Sequence, residues 1–179
     1  MSTKELIQEY GQIMGINDKI YDSELIESTK EFDFLKVEEK LGFPLHEDLK
    51  DYLNSSYGIN IEGIILPNQI QPTDKWGSWF EFEEQNDKIS VSLKSIENEK
   101  IDIESYIEKG FKEWTGGYDF GRRMNIGSLF DSRGDILLVF NNDTGKVEWI
   151  DCEWGCFGNL EEDPNGVLVN SIYELIVVS

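Results

Sequence analysis

The sequence predicts one α+β domain in which a central, mostly antiparallel sheet is flanked by N-terminal helices and a short C-terminal helix. Three observations predict this class. Apolar residues recur at helical spacing in the first third of the chain, whereas from Ile59 onward short apolar runs alternate with turn sequences. The chain has 179 residues, of which 39% are hydrophobic, and this is enough to bury the core of one ordinary domain.

Three helices are predicted in the first third of the chain. The first covers Thr3 to Ile16, which carries an apolar stripe behind a Ser/Thr start. The second follows Ser28-Thr29-Lys30-Glu31, which has the form of a capping box, and ends at Gly42. Because proline cannot continue a helix, Pro44 separates it from a third helix. The apolar face of this third helix consists of Leu49, Tyr52 and Leu53.

Strands and one further helix are predicted in the middle of the chain. Three apolar runs, Ile61 to Leu66, Trp79 to Phe82 and Ile89 to Leu93, are separated by turn residues. Helical spacing returns between Ile101 and Trp114, and Gly116-Gly117 provides a stop. We therefore expect a helix that interrupts the strands of the sheet.

The last third of the chain predicts an antiparallel meander followed by a short helix. Two strong turn sequences, Ser132-Arg133-Gly134-Asp135 and Asn142-Asp143-Thr144-Gly145, join three apolar runs. After a loop at Glu161 to Gly166, Ser171 is a capping residue for a helix that extends to Ile176. The three predicted strands are Ile126 to Phe130, Ile136 to Phe140 and Lys146 to Ile150.

The chain is strongly acidic. It has 36 acidic and 16 basic residues and a formal net charge of −20 at pH 7. Acidic residues are especially frequent between Asn141 and Ser179, where Lys146 is the only base. Because such a charge repels phosphate backbones and anionic lipids, we expect no direct contact with nucleic acid or a membrane surface.

The sequence also predicts where the protein resides. Its apolar runs are far shorter than the roughly 20 residues that a membrane-spanning helix needs, so we expect no membrane insertion. The opening residues, Met1 to Glu5, lack a basic stretch followed by an apolar one. We therefore expect no secretory signal and a cytoplasmic location.

No residue pattern indicates a catalytic, cofactor or metal site. His46 is the only histidine, and nothing in its spacing supplies the partner that a general base requires. Cys152 and Cys156 are too few for a zinc site, and Gly116 to Gly121 lacks the lysine of a phosphate-binding loop. The turn that begins at Asn141 lacks the glutamate that closes a calcium loop. We therefore expect a protein that is not an enzyme and binds no cofactor or metal.

One surface remains as a candidate for binding another protein. Aromatic and acidic residues are interleaved along two predicted strands, so side chains of both kinds share a strand face. Exposed tryptophans rimmed by carboxylates would form a binding surface for a basic protein, although the aromatics could equally be core residues and the acids a solvated face. We name these residues the acidic-aromatic surface: Trp79, Glu81, Glu83, Glu148, Trp149, Asp151 and Glu153.

Three segments resemble the SUKH superfamily, which includes fungal cell-wall assembly regulators, the SecY-interacting protein Syd and many bacterial immunity proteins. Glu39 to Leu53 resembles the family's helix, leucine-proline turn and second helix, with His46 in place of the usual proline after the leucine. Gly127 to Trp149 resembles the central hairpin with its Gly-Asp and Gly-x-Val signatures. Val167 to Ile176 resembles the closing motif, in which a serine caps the final helix.

The resemblance implies a single SUKH-like domain over residues 1–179, with residues 1–27 as an N-terminal helical extension and residues 28–179 as the core. It implies an α+β fold without a catalytic centre. For bacterial members it implies a cytoplasmic immunity protein, or antitoxin, that binds and occludes a cognate toxin such as a nuclease. Two alternatives stay open: a Syd-like or cell-wall regulatory interaction module, and, more remotely, an acidic hydrolase that uses paired carboxylates.

Overall fold

Six antiparallel strands form one sheet in which each strand pairs with the next one along the chain. The computed structural model describes Glu5 and residues 32–55, 61–66, 89–94, 102–131, 134–151 and 158–177. The predicted α+β class is confirmed. The strands are β1 (Ile61–Leu66), β2 (Ile89–Leu93), β3 (Arg123–Asp131), β4 (Gly134–Asn141), β5 (Val147–Ile150) and β6 (Asn165–Val169).

Four helices of the described residues accompany the sheet. Two of them precede it, one lies between β2 and β3, and one follows β6. The third helix continues into a single 3-10 turn, Glu113–Thr115. The helices are α1 (Leu35–Leu41), α2 (Glu47–Ser55), α3 (Ile103–Lys112) and α4 (Ile172–Val177). None of the described helices is long and apolar enough to cross a membrane.

The ends of the helices follow local sequence signals. Gly42 ends α1 with a φ of +80°, and its N–H donates to the carbonyl of Glu38. Glycine adopts this left-handed conformation without a steric penalty. At the other end of the chain, the Ser171 hydroxyl accepts from the Glu174 N–H at 3.0 Å and so caps α4. Both helix ends agree with the sequence prediction.

The main core lies between the helices and one face of the sheet. The predicted face of α2 is fully buried there, because Leu49, Tyr52 and Leu53 are each at most 1% exposed. Side chains alternate along a strand, so every second residue of β4 and β5 points to this face. These core residues of the two strands are Ile136, Leu138, Phe140, Val147 and Trp149.

A second, smaller cluster covers the opposite face of the sheet. Val139 of β4 and Ile150 of β5 are fully buried there. They pack with Phe120, and partly buried Trp114, Leu137 and Leu160 surround them. Both faces of the central strands are therefore covered.

The meander predicted for the last third of the chain is confirmed. Strand β3 pairs with β4 from Arg123 opposite Asn141 to Asp131 opposite Gly134, and β4 pairs with β5. Strand β6 is a difference, because the sequence predicts a loop followed directly by the final helix. Only Val167 to Val169 form an apolar run there, which is shorter than a typical strand signal.

Some predictions concern residues beyond the described ranges. The helix from Thr3 to Ile16, apart from Glu5, and the strand from Trp79 to Phe82 lie outside the described residues. So does the capping box at Ser28 to Glu31. Helix α1 begins only at Leu35, whose N–H donates to the Asp33 carboxylate at 3.1 Å.

Candidate functional site

The leucine-proline turn and the β4–β5 hairpin, far apart in the sequence, meet at one end of the sheet. The side chain of Asn142 joins them, because its Oδ1 accepts from the His46 N–H at 2.8 Å and its Nδ2 donates to the Pro44 carbonyl at 2.9 Å. Asn142 is only 7% exposed. Buried amides that bond on both sides hold their partners in one arrangement, so this junction fixes α2 relative to the sheet.

His46 has a structural place in the same junction. Its ring packs edge-on against Phe140 at 5.6 Å between centroids, and its Nδ1 accepts from the Asp48 N–H at 3.2 Å. Gly145 of the hairpin lies directly beside the ring, where a Cβ atom would be 2.8 Å from Cε1 and Nε2. The imidazole is therefore enclosed by a turn rather than aimed into a cavity.

Glu148, a member of the acidic-aromatic surface, is engaged inside the protein. Its carboxylate lies 2.5 Å from Arg123 Nε, and its Oε1 also accepts from Asn141 Nδ2 at 2.8 Å. The side chains of Arg123 and Glu148 are 17% and 12% exposed. This carboxylate is neutralised and largely covered, so the structure does not present it as a free rim charge.

The prediction that Trp149 is an exposed tryptophan of the acidic-aromatic surface is wrong, because Trp149 is 0% exposed. The reason is strand alternation: Trp149 lies opposite Leu138 on the helix-covered face, while its neighbour Glu148 points to the other face. Asp151 is also buried, at 3% exposed. The remaining members of the acidic-aromatic surface lie outside the described residues: Trp79, Glu81, Glu83 and Glu153.

The end of the sheet formed by β6 combines negative charge with exposed apolar groups. We call residues 158–177 the terminal edge. This segment contains no lysine or arginine, and Glu161 and Glu162, just before β6, are exposed. Val167 of β6 is 39% exposed and Tyr173 of α4 is 43% exposed. The terminal edge therefore combines exposed carboxylates with exposed apolar side chains.

Some basic side chains on the helical face are occupied by carboxylates. Lys40 Nζ lies 2.8 Å from Glu104 Oε2, and this hydrogen bond raises the pKa of Lys40 above its ordinary value. Lys112 lies 2.9 Å from Glu108, and its hydrogen bond lowers the pKa of that carboxyl. Because these bases form ion pairs within the protein, the excess of carboxylates determines the electrostatic field that the protein presents to solvent.

A groove lies between α3 and the ends of β2 and β3. It encloses about 410 Å³, and its lining includes Lys94, Tyr106, Lys109 and Trp114. The indole N–H of Trp114 donates to the Arg123 carbonyl at 3.2 Å, which fixes this wall of the groove. The groove contains no histidine or cysteine, and in the described part of the chain no group of metal-ligating side chains could hold an ion.

Comparisons with protein families, curated proteins and solved structures found no match to this chain.

Proposed function

We propose that this protein is a non-enzymatic, acidic protein-binding domain that acts as a cytoplasmic bacterial immunity protein. In this role it binds and occludes a basic toxin such as a nuclease. The observation that carries the proposal is the terminal edge, a segment without lysine or arginine in which Glu162 is exposed before β6 and Val167 and Tyr173 are exposed on β6 and α4. Apolar contacts framed by carboxylates suit a partner whose own surface is basic.

The charge of the whole chain supports the same partner. Nuclease surfaces are basic because they bind phosphates, and a net charge of −20 creates a long-range field that attracts them. Occlusion requires no catalytic group on the inhibitor. The inhibitor needs only to cover the toxin's phosphate-binding surface.

The junction at Asn142 supports the SUKH resemblance on which the immunity role depends. Two of the three resembling segments, Glu39 to Leu53 and Gly127 to Trp149, contact each other through Asn142 and Pro44. Ser171 caps the final helix, as the resemblance implies for the third segment. Segments that resemble one family in sequence also pack as parts of one structural unit.

The proposal is tested by isolating the partner from the native host. The tagged full-length protein is purified at low and physiological salt beside two variants of equal charge change. One variant combines Glu161→Lys with Glu162→Lys at the terminal edge, and the other combines Glu39→Lys with Asp51→Lys on α1 and α2. We expect a basic protein to co-purify with the unaltered chain. The first variant should lose this protein, and the second should retain more of it.

The identified protein is then expressed alone and together with this chain. We expect toxicity when it is expressed alone and relief on co-expression. A partner that is harmless, or whose toxicity persists, contradicts the immunity role and favours a regulatory interaction module. Turnover of phosphodiesters, esters or glycosides by the pure protein contradicts the non-enzymatic part of the proposal.

A further inference from the structure

Within the part of the chain that the structure describes, strand β6 has a neighbouring strand on one side only. It is the last strand in the order of the sheet, and its partner is β5. An edge strand carries a row of backbone N–H and C=O groups that can pair with a further strand. The direction of these groups decides whether β6 can accept one.

The register of β5 and β6 identifies the outward-facing groups. The Asp151 N–H donates to the Pro164 carbonyl at 2.8 Å, so this is a hydrogen-bonded pair. Hydrogen-bonded and non-hydrogen-bonded pairs alternate along an antiparallel ladder. Trp149 opposite Gly166 is therefore hydrogen-bonded, whereas Ile150 opposite Asn165 and Glu148 opposite Val167 are not.

The N–H groups of Asn165 and Val167 consequently point away from β5. The β4–β5 register agrees with this assignment, because the Asn141 N–H donates to the Lys146 carbonyl at 2.9 Å. Hydrogen-bonded pairs recur at every second residue from that pair, so the backbone N–H and C=O groups of Glu148 and Ile150 form hydrogen bonds with β4. Neither residue can then satisfy the facing groups of β6.

The side chains around this edge select the chemistry of an added strand. Val167 is exposed and offers an apolar contact beside the outward N–H groups. Glu161 and Glu162 are exposed immediately before the strand, whereas the carboxylate of Glu174 in α4 accepts from the Asn170 N–H at 2.7 Å. An extended segment that alternates lysine or arginine with apolar residues complements both features.

We propose that an extended basic segment of the partner protein adds to β6 as a further antiparallel or parallel strand. This inference rests on the proposed function and specifies how the partner is held. The backbone of Asn165 and Val167 supplies hydrogen bonds, Val167 supplies an apolar contact, and Glu162 pairs with a basic side chain. A second copy of this chain is a poorer occupant, because two chains of charge −20 repel each other.

The experiment uses a fluorescent synthetic peptide of alternating lysine and valine and the full-length protein. Val167→Pro removes one outward N–H without removing a bond to β5, and proline is tolerated at such edge positions. Val167→Thr is the matched control, since it keeps the N–H and the β-branched shape. We expect Val167→Pro to weaken binding about tenfold, measured by fluorescence anisotropy, and Val167→Thr to change it less than about threefold.

Two further measurements keep the test decisive if Val167→Pro lowers stability. A peptide with alternate N-methyl groups, which blocks hydrogen bonding along one edge, should bind the unaltered protein more weakly than the plain peptide does. Hydrogen exchange should show that the plain peptide protects the Asn165 and Val167 amides. A peptide of alternating glutamate and valine should not bind at all.

The outcomes separate this inference from the proposed function. If Val167→Pro and the N-methylated peptide bind as tightly as their controls, the attraction is purely electrostatic and strand addition is wrong. If the full-length protein forms a dimer that Val167→Pro dissociates, the occupant is a second copy and the inference is overturned. If a toxic partner is retained by Val167→Pro, the immunity role stands without strand addition. If the basic peptide adds to β6 but no toxic partner exists, strand addition stands without the immunity role.

Discussion

The side-chain amide of Asn142 accepts a hydrogen bond from the backbone N–H of His46 at 2.8 Å. This contact joins the β4–β5 turn to the start of α2 across 96 residues of sequence. The same amide donates to Pro44, so both of its polar groups are used in a position that is 7% exposed. The junction therefore couples the helical face to the sheet through one polar side chain.

We expect Asn142→Ala to destabilise the fold. The variant removes two part-buried hydrogen bonds and leaves the His46 N–H and the Pro44 carbonyl without these partners, which costs about 2 kcal/mol in the free energy of unfolding. Urea denaturation of the full-length protein measures this change. Thr144→Ala, at an exposed position of the same turn, is the control and should cost less than about 0.5 kcal/mol. Equal midpoints for the two variants would contradict the role of the junction.

We also expect Gly145→Ala to be destabilising, for two separable reasons. Gly145 has a φ of +73°, which costs a residue with a Cβ roughly 1 kcal/mol, and the new Cβ would press against the His46 ring at 2.8 Å. A double-mutant cycle with His46→Ala separates the two, because only the steric part depends on the ring. Chemical denaturation should show that Gly145→Ala costs less in the His46→Ala background. Strict additivity of the two changes would show that the ring contact contributes nothing.

The meander was predictable because its signals are local. Turn chemistry such as Asn142 to Gly145 fixes a hairpin from a few neighbouring residues, and the structure confirms the pairing of β4 with β5. The apolar stripe of α2 and the glycine that ends α1 are local signals of the same kind. Strand β6 was missed because an apolar run of three residues is too short to indicate a strand when judged alone.

The site residues were harder to place because burial depends on both faces of the sheet. Val147 and Trp149 share one face of β5, and Glu148 and Ile150 share the other. The helices cover the first face and a smaller cluster covers the second, so alternation alone cannot say that Trp149 is interior. The partner of Glu148 is equally non-local, since Arg123 belongs to β3 and reaches it across β4.

Glu148→Ala should lower stability rather than association with a partner. The change leaves the guanidinium of Arg123, which is 17% exposed, without its carboxylate and removes the acceptor of Asn141 Nδ2. Breaking such a covered pair from one side costs about 3 kcal/mol in the free energy of unfolding. Thermal and urea denaturation would detect the loss. Glu162→Ala, at an exposed carboxylate, is the control, and an equally small effect of both variants would contradict the structural role of Glu148.

Trp149→Ala should destabilise the fold by about 4 kcal/mol, because a fully buried indole would be replaced by a cavity. Trp149→Phe should cost less, since most of the apolar volume is kept. Tyr173→Ala is a matched aromatic control at a position that is 43% exposed. Circular dichroism during urea denaturation gives the three free energies of unfolding. A Trp149→Ala protein that unfolds like the unaltered protein would restore Trp149 as a surface residue.

The last prediction concerns the alkaline side of the stability profile. Lys50 of α2 lies 2.9 Å from Glu38 of α1, and Glu38 also accepts from the Leu45 N–H at 2.8 Å. The hydrogen bond to Glu38 is the main reason that the pKa of Lys50 is raised above its ordinary value of 10.5. A lysine with a raised pKa in the folded state contributes stability below its unfolded pKa and loses this contribution as the pH rises through the folded value.

The free energy of unfolding should therefore be compared between the unaltered protein and Lys50→Met, which keeps the aliphatic stem, from neutral pH to about pH 11. We expect the difference to be constant near neutral pH and to shrink above pH 10.5, where Lys50 begins to lose its proton in the unfolded chain. Lys36→Met, at an exposed lysine on α1, is the matched control for replacing a lysine by methionine. A Lys50→Met difference that stays constant through this range would mean that the pair with Glu38 does not stabilise the charged lysine, and that the α1–α2 corner depends on the Leu45 hydrogen bond and apolar packing alone.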